Sequence, residues 1–337
     1  AGEMTASWKN GLKLSDDSGN EVKIGGRMYM DWAWYSADDD YKASSDEAFL
    51  PLDGAEFRTA RLFIEGKMHD LMDYKFQIDV AGSSVKFKDM YVVFNEGRYT
   101  KLRLLVGQFK QPIGLEELTS SKYITFMERS QTSGFTTGRQ MGIQLRRLFA
   151  EERLNVVASF FRNSTSRGLS VGDDAYGFAG RIAGTPWKTD EGNLIHVGVG
   201  GVTRQRGPLP LDVFDNEYFA TNPESHLQPF FGAVAVPVDR ATDVNFEAAA
   251  VFGPFSVQGE YMMMGVSATE GSEDASFSSY YGQASWFITG ESRPYKGSTA
   301  VFSRVKPNNN YTREGGSGAF ELAARYSTTD LNDGVYQ

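Results

Sequence analysis

The chain has 337 residues, a formal net charge of −9, 36 glycines, 13% aromatic residues and no cysteine. A mean hydropathy of −0.38, with no apolar run near the roughly 20 residues of a spanning helix, excludes a helical membrane protein. The longest apolar run, Ala248–Phe255, is broken by Gly253 and Pro254. The absent cysteines exclude disulfides, thiolate metal sites and thiol nucleophiles, and the acidic balance argues against a nucleic-acid partner. Abundant aromatics and glycines together suit many strands joined by turns. Because the chain begins Ala1-Gly2-Glu3, without a basic then apolar leader, a signal peptide is expected to have been removed.

From Val22 onward the dominant period is two. Val22, Ile24, Met28, Met30, Trp32 and Trp34 alternate with Lys23, Arg27, Tyr29 and Asp31. The pattern recurs at Tyr74–Val80, Met141–Arg146, Phe246–Phe252 and Phe320–Tyr326. Thirteen strands are expected, at 21–35, 55–67, 72–81, 87–96, 100–109, 139–148, 153–163, 175–187, 194–206, 243–253, 255–268, 278–291 and 318–328. Each is about the ten residues that a tilted strand needs to cross a bilayer. Short connections (His69–Leu71, Gly97–Tyr99, Phe149–Glu152, Gly253-Pro254) alternate with long ones (Ser36–Gly54, Lys110–Gly138, Gly207–Thr242, Thr269–Phe277), as in outer-membrane barrels. Gly290–Gly318 breaks the alternation and reads as irregular. The expected fold is all-β, a single transmembrane antiparallel β-barrel domain over 1–337, with residues 1–20 as an N-terminal periplasmic segment.

Charged residues keep to one strand parity. Arg27, Asp31, Lys75, Asp79, Asp89, Arg103, Arg146, Arg181, Glu247, Glu260, Glu321 and Arg325 all occupy polar positions within otherwise apolar strands. Either a soluble sandwich surface or a water-filled lumen places charges this way. The large apolar side chains that continue on the other face favour the lumen.

Enzyme motifs are missing. No phosphate-binding glycine loop, HExxH or GxSxG is present, and the only histidines, His69, His196 and His226, are far apart. Neither a catalytic set, a metal site nor a cofactor is expected. The acidic runs Asp38–Asp40, Asp173-Asp174 and Glu270–Asp274 read as solvated loops. The unusual stretch is Val106–Ser130, VGQFKQPIGLEELTSSKYITFMERS, where a strand passes through Pro112-Ile113-Gly114 into a segment rich in both charges. Held inside a lumen, such charges would act on a partly dehydrated ion at reduced dielectric. Glu128 and Arg129 could equally pin the segment to the wall.

This stretch resembles the constriction-loop signature of the phosphate-selective porin O/P family, and the flanking AEFRTARLFIEG, DYKFQIDVAG, KDMYVVFN, EAAAVFGPFSVQGEY and FITGESRPYKG agree in order along most of the chain. The resemblance implies a trimeric, sixteen-stranded outer-membrane barrel with periplasmic termini and an inward-folded third loop, here 110–138. It further implies that Arg129 faces the permeating anion, that Arg58 lies near the extracellular mouth, that Lys75 is a lumenal lysine and that Lys122 is a lysine of the loop motif. Phosphate-selective members carry a lysine where this chain has Glu117 and two arginines where it has Arg58-Thr59, with Arg61 a partial substitute.

About thirteen strands would leave a barrel open in lipid, so roughly three C-terminal strands are expected beyond Gln337. The function expected is passive diffusion of small hydrophilic solutes, anions such as phosphate or polyphosphate favoured, across the bacterial outer membrane. Arg58, Arg61, Lys75, Lys122 and Arg129 would attract them, and Glu116, Glu117 and Glu128 would shape the constriction. Arg27, Asp31, Asp79, Asp89, Arg103, Arg146, Arg181, Glu247 and Arg325 would line the lumen. Expected partners are outer-membrane lipid, lipopolysaccharide and the solutes. A weakly selective or cation-preferring porin, or a barrel serving as receptor or scaffold for a protein, is the alternative.

Overall fold

The computed structural model describes residues 3–8, 10–36, 52–82, 84–95, 102–170, 175–205, 217–221, 224–227, 232–312 and 314–336. Fifteen strands form one sheet, every neighbouring pair antiparallel and every step but two between consecutive strands. The first eleven are β1 Thr5–Trp8, β2 Leu12–Ser15, β3 Glu21–Ala33, β4 Gly54–Met68, β5 Met72–Asp79, β6 Lys86–Asn95, β7 Leu102–Lys110, β8 Arg139–Phe149, β9 Leu154–Arg162, β10 Tyr176–Lys188 and β11 Leu194–Gln205. A separate hairpin, β12 Glu217–Thr221 and β13 Gly232–Val236, precedes β14 Val238–Phe252, β15 Phe255–Ala268 and β16 Ala275–Phe287. A two-stranded ribbon, β17 Tyr295–Lys296 and β18 Val301–Phe302, precedes the last strand, β19 Glu321–Asp330.

The thirteen strands expected from alternation coincide with β3–β11, β14–β16 and β19. Within residues 1–20, where alternation places no strand, β1 and β2 extend the sheet, with Leu12 opposite Ile24 and Leu14 opposite Val22. One expectation is corrected. Gly290–Gly318 is not wholly irregular, because it carries the β17–β18 ribbon, Tyr295 opposite Phe302. Strands of two to four residues are too short to display a period. The sheet is not closed: among the described residues β1 and β19 are its ends. The expected loop acids Asp38–Asp40 and Asp173-Asp174, and the turn Gly97–Tyr99, lie outside the described residues.

Polarity across this sheet is inverted relative to a soluble domain. Ile24, Met28, Leu62, Phe76, Ile143, Phe178, Val197, Phe246 and Val257 are exposed, whereas Gln77, Asp79, Gln144, Asn155, Arg181, Asp243, Asn245, Gln258, Glu260 and Gln283 are buried. A soluble protein rarely exposes so large an apolar surface, and a sandwich face carrying these charges would point to water. This distribution decides what parity alone left open.

The outer face is also banded. Tyr261 and Tyr280 pair, as do Tyr280 and Tyr326, at one level, and Phe255 stacks on Trp286 while Trp187 meets Phe252 at another. Phe246 and Phe252 lie six residues apart on β14, about 20 Å along a strand. Between them the outward residues are mostly small, Ala248, Ala250, Gly259, Gly282, Ala284 and Ala324, with Val257 among them. Two aromatic rows about an apolar band are the pattern of a strand wall in a bilayer.

Inside, apolar packing occurs where inner elements cover the wall. Phe219 of β12 and Val234 and Val236 of β13 join Phe135, Met262, Met264, Val266 and Phe277 in one buried cluster, with Phe219 and Phe277 rings 5.5 Å apart. Leu115, Leu194, Val251, Val301 and Phe302 form a second cluster beneath the ribbon.

A charge on the apolar band should act differently from one on the inner face. Val257→Arg is expected to cost about 2–4 kcal/mol of insertion stability near mid-membrane, while Gln283→Glu, opposite Arg325 on the inner face, costs less; denaturant titration in vesicles measures both. Equal costs would contradict the inverted polarity.

Candidate functional site

Residues 111–138 cross the polar face of the sheet between β7 and β8. Gln111 Oε1 accepts from Ser159 Oγ of β9 at 2.5 Å, and the buried Ile113 joins the larger apolar cluster. Gly114, at φ 78, starts a single helical turn, α1 Leu115–Leu118. Leu115 and Glu116 donate their backbone N–H groups to Glu260 of β15 at 2.9 and 2.7 Å. A 3-10 turn, Gln131–Phe135, leads the chain back to β8.

Beside this segment lies a cavity of about 950 Å³ walled by β3–β8, by residues 117–129 and by the ribbon region. Its lining holds thirteen lysines and arginines and four carboxylates, Glu65, Asp89, Glu117 and Glu128. That balance is opposite to the net charge of the whole chain. Arg58, Arg61, Lys75, Lys122 and Arg129 all reach this lining, together with Arg27, Arg146, Asp89, Glu117 and Glu128.

Pairing decides which of these charges remain available. Glu117 sits between two cations, Oε1 2.7 Å from Lys110 Nζ and Oε2 3.2 Å from Arg129 Nε. Lys110 and Arg129 hold its carboxyl down to about 2 against the desolvation that opposes them. Arg129 also donates to the carbonyls of Glu116, Glu117 and Thr119 at 3.0, 3.3 and 2.8 Å, stapling the end of α1. Arg58 pairs with Glu128. Arg61 bonds Asp79 at 2.7 Å. Along the wall Lys23, Glu65, Lys75, Asp89 and Arg139 alternate in sign, at 3.1, 3.9, 3.2 and 2.7 Å.

Arg27 and Lys122 differ from these. Both line the cavity, and their charged groups lie over the rings of Tyr29 and Tyr123, 5.3 and 5.4 Å from the centroids. The Lys122 ammonium is pushed below its ordinary value by desolvation and then by Arg27 and Lys75. Neighbouring cations repel one another there, which is the field that attracts an anion.

Other expected residues lie elsewhere. Glu116 is buried, its carboxylate taking Ser130 N at 2.9 Å and Arg325 Nη1 at 3.2 Å. Arg325 also donates to Glu128 O at 3.0 Å and pairs with Glu224. Arg103 is exposed and stands opposite Arg146 in the β7–β8 register. Arg181 and Glu247, 2.6 Å apart, lie under the ribbon, where His196 bonds Tyr295 at 2.7 Å and Glu247 at 3.2 Å. Asp31 is partly buried in β3, its carboxyl within a strand that also carries Arg27. Sequence reasoning missed Lys23, Lys88, Lys110, Arg139, Lys296 and Arg304 as lining residues. Lys23 shares the parity of Arg27, so alternation could have found it. Arg139 and Lys110 sit at strand ends and Lys296 and Arg304 beyond the regular wall, where parity gives no guide.

An inverted sheet, a charged inner face and a polar segment laid across it define the wall of an outer-membrane channel. Residues 22–336 match the family described as phosphate-selective porin O and P. The chain belongs to that family and is a porin of the bacterial outer membrane. It is 28% identical to Porin O of Pseudomonas aeruginosa, over 98% of this chain and 78% of that protein. An uncharacterized protein of Caulobacter vibrioides is 28% identical, over 83% of this chain and 56% of its own length. Among solved structures, outer-membrane expressed OmpT of Vibrio cholerae aligns with a TM-score of 0.48 at 9% identity, covering 94% of this chain and all of that one. Salmonella typhi OmpF in complex with daunomycin gives 0.42 at 8% identity, covering 97% of this chain and all of that one.

The Glu117 carboxyl, depressed from an unfolded value of about 4.3 to about 2, contributes stability that is complete above the unfolded value and is lost as pH falls through the folded one. Proteolytic protection of residues 111–138 should therefore persist at pH 5 and decline toward pH 2. Glu117→Gln should lower protection at pH 5 and shrink the decline toward pH 2, and unchanged protection of the unaltered protein at pH 2 would count against the pairing.

Proposed function

We propose that the protein is a passive diffusion porin that favours small anions, phosphate-like oxyanions included, and that residues 110–138 form its constriction. The observation that carries this reading is the lining of thirteen cationic side chains against four carboxylates, all four of them ion-paired. In a water-filled passage of reduced dielectric, a unit charge at about 4 Å is worth nearer 4 than 1 kcal/mol, so the excess cations set the sign of the preference.

Lys122 and Arg27, which have no carboxylate partner among the described residues, supply the attraction, with Lys75 and Arg61 behind them. Arg129 adds charge at the lining while holding the segment in shape. Glu117, the residue that departs from the phosphate-selective pattern, is neutralised by Lys110 and Arg129 and so weakens the anion field less than its isolated charge would. Arg58 is offset by Glu128 in the same way. Arg146 stands toward the ribbon end of the passage, donating to Ser298 O at 3.3 Å.

A closed wall of sixteen strands, three copies per assembly and periplasmic termini complete the proposal, on family membership. The apolar outer band is the surface that lipid and lipopolysaccharide would cover. Solutes pass down their gradients, and no reaction is part of the mechanism.

Liposome swelling with isosmotic solutes of similar size tests the reading. An anionic sugar acid is expected to enter several-fold faster than an uncharged sugar, and a cationic amino sugar more slowly. Lys122→Gln and Arg27→Gln should each reduce the anion advantage, together more than either alone. Faster entry of the cationic solute would overturn the proposal.

A further inference from the structure

Glu260 projects from β15 into the polar interior and is 5% exposed. Its carboxylate accepts four hydrogen bonds. Oε2 takes Leu115 N at 2.9 Å and Asn245 Nδ2 at 3.1 Å; Oε1 takes Glu116 N and Tyr281 OH, each at 2.7 Å. All four donors are neutral, so this bonding does not balance a wall cation. Two of them are the first free N–H groups of α1, which no residue of the turn can satisfy. No side chain of the segment caps that turn.

The approach is close. A Cβ on Gly114 would stand 3.2 Å from Glu260 Oε2, and the backbone there has φ +78, a conformation glycine adopts without strain. Glycine thus lets the segment descend onto the wall carboxylate. The next residue after the anchored pair is Glu117, which carries Lys110 and Arg129. The position of those lining charges is therefore set from β15, across the interior from β7.

Resting on the anion-porin reading, we propose that Glu260 is the positioning residue of the channel: it fixes how far residues 111–138 stand into the lumen and so sets the anion preference. A carboxylate suits this task because it only accepts. A glutamine would present an N–H₂ to donors on one side and leave a buried N–H unpaired.

The test uses the full-length protein in planar bilayers under a KCl gradient, with unaltered protein, Glu260→Gln, Gly114→Ala and the double variant. Folding is checked by heat-modifiable electrophoretic mobility. Each single variant should keep that mobility, lower the chloride-to-potassium permeability ratio by about twofold or more and add open-channel current noise; the double variant should lower the ratio no further. A folded Glu260→Gln channel with the unaltered ratio and quiet current overturns the proposal. If Glu260→Gln fails to fold, Gly114→Ala decides, since its change lies in the crossing segment rather than the wall, and an unchanged ratio and quiet current again overturn it. An unaltered protein that prefers potassium defeats the anion-porin reading instead. The noise comparison then judges the anchor separately, and quiet current in both single variants rejects it.

Discussion

Everything in this chain follows from the inversion of its sheet. Apolar side chains occupy the outer face between two aromatic rows, and the inner face is left to amides, carboxylates and guanidinium groups. A surface of that kind is stable only against hydrocarbon, and backbone groups in hydrocarbon must be satisfied within the wall. The all-antiparallel ladder meets that demand between every pair of neighbouring strands.

The inner face then has its own problem, since buried charges are costly unless paired and hydrogen-bonded. The wall answers by alternating sign from Lys23 through Glu65, Lys75 and Asp89 to Arg139. Inner elements are bound by the same chemistry. Arg181 and Glu247 lie beneath the ribbon, with Arg181 reaching Ala300 O at 2.8 Å, and Arg325 gathers Glu116, Glu128 and Glu224. Among the described residues at the cavity lining, every carboxylate is ion-paired and the charge left over is cationic. An acidic protein thereby keeps a basic passage.

Alternation made the long strands legible in the sequence, because one face meets lipid over about ten residues without interruption. It failed where a strand was too short to show a period, as at Thr5–Trp8 and Tyr295–Lys296, and where a segment was held by tertiary bonds alone. The charged stretch at 106–130 stood out by composition, and the lining role of its lysine and arginine neighbours follows from position. The partners of its acids did not. Glu116 and Glu117 are adjacent and identical in type, yet one faces Arg325 within the interior and the other joins Lys110 and Arg129 at the lining. A one-turn helix sends them in different directions, a fact that no local pattern encodes.

The sign of the reversal potential of the unaltered protein, in a planar bilayer under a tenfold KCl gradient, bears most directly on the central claim. The cation-lined passage predicts a potential set by chloride. A potential set by potassium would contradict it.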